Sequence, residues 1–412
     1  MTMLVQKYGG SSLKNTARIV AVADRVAVAA KSGPLVVVVS AMGDTTDHLI
    51  DLARSVADRP DKREIDMLLA TGEQVSASLL AMSLHQRGVS AISLAGWQAG
   101  IRTDSVFSTA RIRSVDTERI RHELTAGKVV IVTGFQGVGD ETGWGEVTTL
   151  GRGGSDATAV ALAAGLGDCR CEIYSDVTGI FSADPRIVPE ARKLSEITYE
   201  EMLELAQYGA QVMMPRSIEL AQLWSVPLEV RSSYAAESGT RIGGTMEYGN
   251  RVAGVAHQTD VAKVTFVGLA DRPGIAHTIF SALAKRRIHA DLIVQNIGQH
   301  GRTDLSFTVA EGDLEAAMEV AEEIRGDVDA QAVTSKGGMA KVSVVGAGLS
   351  SSAEYASTMF GALAETGVNI DMISTSGIRL TCVIDGNRAE ETVRSLHAAF
   401  HLGEDASWQA SA

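Results

Sequence analysis

The 412-residue sequence contains few of the residues on which several classes of protein depend. It has three cysteines, Cys169, Cys171 and Cys382, and neither their odd number nor their single C-x-C spacing fits a disulfide framework or a zinc site. Aromatic residues make up 5% of the chain, and the net charge of −13 leaves no basic surface for nucleic acid. No signal-peptide core and no apolar run of membrane-span length is present, so we expect a cytoplasmic protein without a membrane partner.

Two common nucleotide-binding motifs are also missing. The chain has no G-x-x-x-x-G-K-[ST] phosphate loop, and no G-x-G-x-x-G motif opens its first predicted helix. Their absence disfavours a Walker NTPase and a dinucleotide-binding Rossmann enzyme. With 45% hydrophobic residues, the sequence is otherwise typical of a soluble globular protein of one to three domains.

A glycine-rich stretch from Thr148 to Asp156 is the most informative local feature. Three glycines (151, 153 and 154) precede an alanine-rich run that favours a helix, which Ser155 or Asp156 can cap. A glycine turn before a helix N-terminus suits an anion, and this loop also carries the cation Arg152. From the glycines alone, an ordinary strand-to-helix turn is an equally good interpretation.

Strand and helix patterns alternate over about 230 residues and predict one α/β domain with a parallel sheet. Leu35–Val39 and Val129–Thr133 are apolar enough for strands that are buried on both faces, and Ser232–Gly244 has the composition of a linker. Ligands of such domains bind beyond the carboxyl ends of the strands. This rule brings together Lys7, Gly9, Gly10, Ser40, Thr46, Gly134, Ser175 and Asp176.

The chain repeats itself after the predicted linker. Residues 263–268 match residues 341–346, and residues 288–291 match residues 368–371, at an offset of about 80 residues. Each copy predicts the order strand, helix, strand, strand, helix. We therefore expect two tandem ferredoxin-like modules.

Together these features resemble the aspartate kinases of the amino acid kinase superfamily, from the first residues to about Gly403. The motifs that carry the resemblance are Val5–Ser12, Ser40–Gly43, Thr71–Glu73, Thr148–Asp156 and Asp184–Arg186. The repeats resemble the paired ACT modules of the same enzymes. The resemblance implies an α/β/α sandwich with a mostly parallel sheet over residues 1–245, followed by two βαββαβ modules over residues 263–335 and 340–403, with residues 252–257 adding a strand to the second.

The resemblance also implies a reaction. Such enzymes transfer the γ-phosphoryl of ATP to the β-carboxylate of L-aspartate and give 4-phospho-L-aspartate, the first step toward lysine, threonine and methionine. A carboxylate is already a nucleophile, so the site has to position groups and neutralise charge rather than supply a general base. Magnesium is expected to arrive with ATP and to be held mostly by phosphates and water.

The implied catalytic residues are Lys7, on the transferring phosphates, and Asp156, which orients Lys7. Glu73 is expected to contact the substrate ammonium, and Arg152 a substrate carboxylate. The complete implied substrate-binding set is Ser40, Thr46, Glu73, Arg152, Gly153 and Ser155. The implied nucleotide-binding set is Lys7, Gly9, Gly10, Ser175, Asp176, Phe181, Arg186 and Gln211.

The ACT resemblance implies lysine and/or threonine as feedback effectors. It also implies a homo-oligomer formed through these modules or a hetero-oligomer with a small ACT-only subunit. In some relatives such a subunit is translated separately, from a start near the position of Met246. Gly298 and Gly377 depart from the family pattern and favour altered feedback. The implied effector-binding residues are Asp271, Gly274, Ile275, Ala276, Asp291, Gln295, Asn296, Thr303, Asn369 and Ile370.

Two other interpretations stay open because four further positions depart from the pattern. Gln211 stands where lysine is usual, Thr178 where aspartate is, Phe181 where tyrosine is, and Trp97 where serine is. The bulk of Trp97 favours a kinase for another amino acid or carboxylate. The loss of a cation at Gln211 favours a non-catalytic, ACT-bearing regulatory subunit, although the implied catalytic residues are retained.

Overall fold

The computed structural model describes residues 3–141, 143–210, 212–244, 252–297, 301–349 and 353–404. These residues form two compact units. The first unit takes residues up to 180, 193–207 and 212–244. The second takes residues 181–192, 208–210 and the described residues from 252 onward.

The first unit alternates helices and strands along the chain. Its helices are α1 (Thr16–Ala29), α2 (Thr45–Val56), α3 (Lys62–His85), α4 (Glu118–Thr125), α5 (Gly154–Leu166), α6 (Tyr199–Gln207) and α7 (Pro215–Leu223). Its strands are β1 (Met3–Tyr8), β2 (Leu35–Val39), β3 (Ala91–Leu94), β4 (Ile101–Thr103), β5 (Ile112–Val115), β6 (Val129–Thr133), β7 (Gln136–Gly139), β8 (Glu146–Thr149), β9 (Cys169–Ser175), β10 (Glu196–Ile197), β11 (Leu228–Ser232) and β12 (Thr240–Ile242).

An eight-stranded sheet forms the centre of this unit, in the order β10-β12-β11-β9-β1-β2-β6-β3. Every neighbouring pair is parallel except β11 with β12. All residues of β2 and β6 are buried, which explains why these strands are continuous runs of valine, leucine, isoleucine and threonine. The predicted α/β class is confirmed. A smaller sheet, in the order β5-β4-β7-β8, adjoins α3 through β8.

The prediction of a linker over Ser232–Gly244 is wrong for the end of that segment. Residues 240–242 form β12, which pairs antiparallel with β11 and parallel with β10. The buried Thr240 hydroxyl donates to the Leu194 carbonyl (2.6 Å) and accepts from the Ile180 N–H (2.8 Å). The serine and glycine content of the segment concealed a short strand that is fixed by long-range partners.

Helix α3 contradicts the expectation that no segment is long and apolar enough to cross a membrane. Half of its most apolar stretch is buried inside the protein. Its buried face also carries two acidic residues, Asp66 and Glu73. The Asp66 carboxylate accepts hydrogen bonds from the backbone N–H groups of Ser108 and Thr149, both at 2.8 Å. These contacts are typical of a core helix of a folded unit.

The second unit contains one six-stranded sheet in the order β14-β15-β13-β16-β18-β17. Its strands are β13 (Gly254–Ala270), β14 (Asp291–Ile297), β15 (Arg302–Ala310), β16 (Ala332–Val345), β17 (Met372–Thr375) and β18 (Arg379–Asp385). Its helices are α8 (Ile275–Lys285), α9 (Leu314–Ile324), α10 (Ala353–Glu365) and α11 (Ala389–Ala399).

Two long strands join the sequence repeats into this single sheet. The first part of β13, residues 254–258, pairs with residues 341–345 of β16. The later part of β13 pairs with β15 on one side and with the first part of β16, residues 332–339, on the other. The last part of β16 pairs with β18. Each repeat keeps its own core, one around Phe266 and Phe307 and the other around Met359 and Phe400. The repeats therefore share a sheet but not a core.

Ion pairs link equivalent positions of the two repeats reciprocally. Lys263 lies 3.0 Å from Asp371, and the repeat-related Lys341 lies 2.5 Å from Asp291. Lys336 contacts the second carboxylate oxygen of Asp371 at 2.8 Å. Burial alone would raise the pKa of Asp371, but hydrogen bonds and charge from its two lysines outweigh burial and hold this pKa below its usual value. Each repeat thus neutralises an aspartate of the other.

We expect Asp371→Asn to destabilise the second unit at pH 7, because Lys263 and Lys336 lose their charged acceptor. Losing such charge-assisted hydrogen bonds costs about 1–3 kcal/mol, which lowers the melting temperature by roughly 2–10 °C. The pKa of Asp371 is lower in the folded than in the unfolded chain, so its stabilisation is complete above pH 3.8 and is lost as the pH falls through the folded pKa. Calorimetry of the full chain at pH 7 and pH 3 measures the effect.

The matched control is Glu322→Gln on α9, whose half-exposed side chain pairs with Arg325 at 3.1 Å. An exposed pair of this kind contributes about 0–1 kcal/mol. The stabilising role of the Asp371 ion pairs would be contradicted if both variants lowered the melting temperature equally. It would also be contradicted if Asp371→Asn lowered the melting temperature by the same amount at pH 7 and pH 3.

Candidate active site

A cavity of about 960 Å³ lies in the first unit, where loops follow β1, β2 and β6. These three strands are neighbours in the sheet, so their carboxyl ends meet at one edge. The structure brings nine of the predicted residues to this cavity. They are Lys7, Gly10, Ser40, Thr46, Glu73, Arg152, Gly153, Ser155 and Asp156.

Lys7 and Asp156 form an ion pair in the cavity wall. Lys7 lies on β1, Asp156 lies in the first turn of α5, and Lys7 Nζ is 2.6 Å from Asp156 Oδ1. The side chains are only 12% and 8% exposed. Their attraction is stronger in these surroundings than it would be in water, and it fixes the position of the Lys7 ammonium.

Gly9 and Gly10 follow β1 at a point where a side chain would be crowded. A Cβ atom at Gly10 would lie 3.1 Å from the carbonyl oxygen of Gly43 and 3.2 Å from that of Ala41. A Cβ atom at Gly9 would lie 3.3 Å from Lys7 Nζ. The two glycines therefore leave room for the lysine and let a ligand approach the backbone.

Helix α5 points its N-terminal turn at the same cavity. The prediction that Ser155 or Asp156 caps this helix is wrong, because both lie within its first turn. Gly153, with φ of 72°, precedes the helix, and no side chain of the described residues caps it. The first-turn N–H groups have no acceptor within the helix, and their partial positive charge favours an anionic ligand.

Glu73 is a buried carboxyl group on α3, 3% exposed. One of its oxygens accepts a hydrogen bond from the Ala41 N–H (3.1 Å), and the other has no hydrogen-bond partner among the described residues. Burial raises the pKa of Glu73 to about 8 against the opposing effect of backbone hydrogen bonds. An unpaired buried oxygen in a cavity wall suits a cationic ligand group.

The cavity thus combines opposite charges. Arg152 is exposed beside it and can clamp a carboxylate with two hydrogen bonds. Lys7 and the first turn of α5 favour a second anionic group, and Glu73 favours a cation. This arrangement fits an amino acid together with a phosphate-bearing ligand.

The remaining predicted nucleotide-binding residues are more dispersed. Ser175 and Asp176 lie at the end of β9, where the Ser175 hydroxyl donates to the Asp176 carboxylate (3.0 Å), and neither lines the cavity. Phe181 and Arg186 belong to the second unit, in which Arg186 forms an ion pair within its own turn. Gln211 lies outside the described residues. The nucleotide assignments of these five residues stay predictions.

The predicted effector-binding residues all lie in the second unit. Gly274, with φ of 98°, precedes α8, and Ile275 packs into the core of the first repeat. The buried Thr303 hydroxyl donates to the Asn296 carbonyl, and Asp291 is engaged by a lysine of the other repeat. The exposed members are Asp271, Gly274, Ala276, Gln295, Asn296 and Asn369, and Ile370 is half-buried. Gly298 lies outside the described residues.

Two residues behind the cavity wall, Asp66 and Arg216, were not predicted from the sequence. Asp66 binds the backbone of Thr149, and Arg216 donates to the Leu150 carbonyl (2.8 Å). The sequence does contain a signal for Asp66. It lies seven residues before Glu73 and so on the same buried face of α3, where a charged residue needs partners.

The raised pKa of Glu73 predicts a pH-dependent cost to stability. The folded chain keeps a proton that the unfolded chain releases, so this group's contribution to stability falls as the pH rises from 4.5 to about 8. Glu73→Gln removes the titration and retains an acceptor for the Ala41 N–H. We expect the ligand-free variant to gain stability over the wild type, reaching about 1 kcal/mol or more at pH 8.

Melting temperatures of the ligand-free proteins at pH 5 and pH 8 measure this gain. Glu64→Gln, on the same helix with a side chain 66% exposed, is the control and should differ equally from the wild type at both pH values. If the gain in melting temperature of Glu73→Gln is the same at both pH values or is smaller at pH 8, burial does not raise the pKa of Glu73.

Comparison with known proteins agrees with this geometry. Residues 2–232 match the amino acid kinase family, and residues 264–324 and 342–400 match the ACT domain. The chain is 49% identical to the aspartokinase of Geobacillus stearothermophilus over 411 residues, which cover 99% of each chain.

Two solved structures extend the similarity to three dimensions. Escherichia coli aspartokinase III in complex with aspartate and ADP (R-state) superposes with a TM-score of 0.80 at 26% identity, over 97% of this chain and 100% of that chain. E. coli aspartokinase III in complex with lysine and aspartate (T-state) superposes with a TM-score of 0.77 at 25% identity, over 96% and 99%. The predicted family is confirmed: the chain belongs to the aspartokinases, which are ATP-dependent kinases.

Proposed function

We propose that the residues lining this cavity catalyse the transfer of the γ-phosphoryl of ATP to the β-carboxylate of L-aspartate. The observation that carries this proposal is the convergence of Lys7, Asp156, Glu73 and Arg152 on one cavity. An acceptor with two carboxylates and one ammonium matches the charges of these groups. The relative solved with aspartate and ADP supports the same pair of ligands.

On the acceptor side, Arg152 binds the carboxylate that does not react, and Glu73 binds the ammonium. An ammonium beside Glu73 favours the ionised carboxyl, so acceptor binding lowers the pKa of Glu73 from about 8 and releases a proton. Ser40, Thr46 and Ser155 line the same cavity and supply neutral hydrogen bonds. The β-carboxylate is then directed toward Lys7.

On the phosphate side, the task is to bring two anionic groups together. The attacking carboxylate and the γ-phosphoryl group repel each other, and the chemical step requires a positive site that is in place beforehand. Lys7 supplies this charge, held by Asp156 at 2.6 Å, and the N-terminal turn of α5 and the Gly10 backbone supply N–H donors. The Gly9 N–H, which was expected to act with them, donates instead to the Tyr174 carbonyl (3.3 Å). No general base is required.

Magnesium is proposed as an ion carried by ATP. Within the described ranges, no three His, Cys, Asp or Glu side chains are grouped closely enough to hold a metal. Phosphate oxygens and water would therefore supply most of its ligands, as magnesium prefers. When bound, the ion neutralises charge on the phosphates. We also propose a cytoplasmic location, where ATP and free amino acids are available.

Hydroxamate trapping of the acyl phosphate tests the proposed reaction. With ATP and Mg²⁺, the wild-type protein should form the hydroxamate of L-aspartate, and much less from L-glutamate, succinate or L-alanine. Lys7→Ala should lower this rate by about 10³-fold or more, since it removes a preorganised charge. Omitting the ion with EDTA should stop the reaction.

The alternatives give different outcomes in that assay. Product with another acid but not with aspartate would support a kinase of different specificity. No product with any acid would support a regulatory subunit without catalysis. Full activity of Lys7→Ala would refute the proposed site while leaving the substrate assignment in place.

We further propose that the second unit responds to lysine and/or threonine, and that the chain assembles through its ACT modules, with itself or with a small ACT-only subunit. The lysine complex of E. coli aspartokinase III and the ACT match support an effector role. The departures at Gly298 and Gly377 favour weakened feedback.

We expect lysine plus threonine to inhibit in the millimolar rather than the micromolar range, because the two glycines offer no side-chain contacts to an effector. Initial rates at subsaturating aspartate, with each effector alone and with both, measure this. L-alanine serves as the amino acid without effect. Steep inhibition at micromolar lysine and threonine would contradict weakened feedback.

A further inference from the structure

We propose that Asp66 and Arg216 are positioning residues for the substrate loop, residues 151–153, which carries Arg152 and ends where α5 begins. The inference rests on the proposed function, because it assumes that Arg152 binds the acceptor. Neither residue lines the cavity. Both act on the two residues immediately before the loop, Thr149 and Leu150.

Asp66 fixes the approach to the loop from α3. The residue is 0% exposed, and both of its carboxylate oxygens are used. Oδ2 accepts from the backbone N–H groups of Thr149 and Ser108, both at 2.8 Å. Oδ1 accepts from their hydroxyl groups at 2.8 and 3.3 Å. One carboxylate thus joins two chain segments that follow it in the sequence at distances of 42 and 83 residues.

The Asp66 carboxylate holds Ser108 in an unusual backbone conformation. Its φ of 68° is uncommon for a residue other than glycine, and the hydrogen bonds to Asp66 stabilise that conformation. The Ser108 carbonyl oxygen then lies only 3.2 Å from where a Cβ atom of Gly151 would be. The Ser108 segment therefore packs directly against the first residue of the substrate loop.

Arg216 fixes the loop from the other side, on α7. Its guanidinium donates to the carbonyls of Leu150 and Ala110, both at 2.8 Å. The Leu150 N–H donates to the Phe135 carbonyl (2.8 Å). Both backbone polar groups of Leu150 are therefore fixed, two residues before Arg152.

These contacts touch the acceptor side of the cavity and not Lys7 on β1. Loosening them displaces Arg152, and a displacement of about 1 Å lowers the efficiency of a positioned group by roughly 10- to 100-fold. The expected effect is therefore selective. The KM for aspartate should rise, and the KM for ATP should stay close to that of the wild type.

Steady-state kinetics of Asp66→Asn and Arg216→Met test the inference. Each variant should raise the KM for aspartate by about 10-fold or more, without a matching rise in the KM for ATP. Arg216→Lys keeps a donor for one carbonyl and should recover part of the loss. The matched controls are the exposed residues Glu64→Gln on α3 and Glu219→Gln on α7, which should behave as wild type.

Arg152→Ala separates failure of this inference from failure of the proposed function. If Arg152→Ala raises the KM for aspartate and neither Asp66→Asn nor Arg216→Met does so, positioning is overturned and the function stands. Equal rises in both KM values overturn it as well, because they indicate general loss of structure. If Arg152→Ala leaves the KM for aspartate unchanged, the proposed role of Arg152 fails.

If Asp66→Asn does not fold, two other variants decide the outcome. They are Arg216→Met and Thr149→Val, the second of which removes one hydroxyl contact with Asp66.

Discussion

The ion pair between Lys7 and Asp156 is the contact on which the arrangement of the first unit depends. It joins the central strand β1 to the first turn of α5, both largely shielded from water. Breaking such a pair by removing one partner costs about 3–5 kcal/mol, because a charge is left unpaired. The fold therefore holds a positive charge at the cavity before any ligand arrives, and the chemical step requires little rearrangement.

Two other features of the cavity, Glu73 and the N-terminus of α5, destabilise the ligand-free protein, and ligand binding offsets that destabilisation. Glu73 is buried, one of its oxygens has no hydrogen-bond partner in the part of the chain that the structure describes, and burial raises its pKa. Among the described residues, no side chain caps helix α5. The Gly154 N–H donates to the Gly151 carbonyl (3.0 Å), and the N–H groups of Ser155 and Asp156, which have no acceptor within the helix, face a ligand. Both features destabilise the empty site and favour a bound ammonium and phosphate. A site that is complete only with its ligands is typical of an enzyme that uses binding energy for orientation.

The sequence predicted those parts of the molecule that depend on local pattern. The β2 and β6 strands have the predicted bounds because continuous β-branched runs specify strands buried on both faces. The parts it did not predict depend on distant partners. Asp66 meets Thr149 across 83 positions of the chain, and the strand at 240–242 exists because it has two neighbours to pair with. Nor does sequence order reveal that residues 181–192 cluster with the second unit, since that grouping comes from packing alone.

A double-mutant cycle tests the central role of the Lys7–Asp156 pair most directly. The measurement is kcat for Lys7→Met, Asp156→Asn and the double variant, in an assay of ADP release sensitive enough for slow enzymes. If Asp156 acts through Lys7, the double variant loses about as much activity as the more severe single variant, because the two residues act as a unit. If the losses of the two single variants multiply in the double variant, the residues act independently, and Asp156 does not act through Lys7.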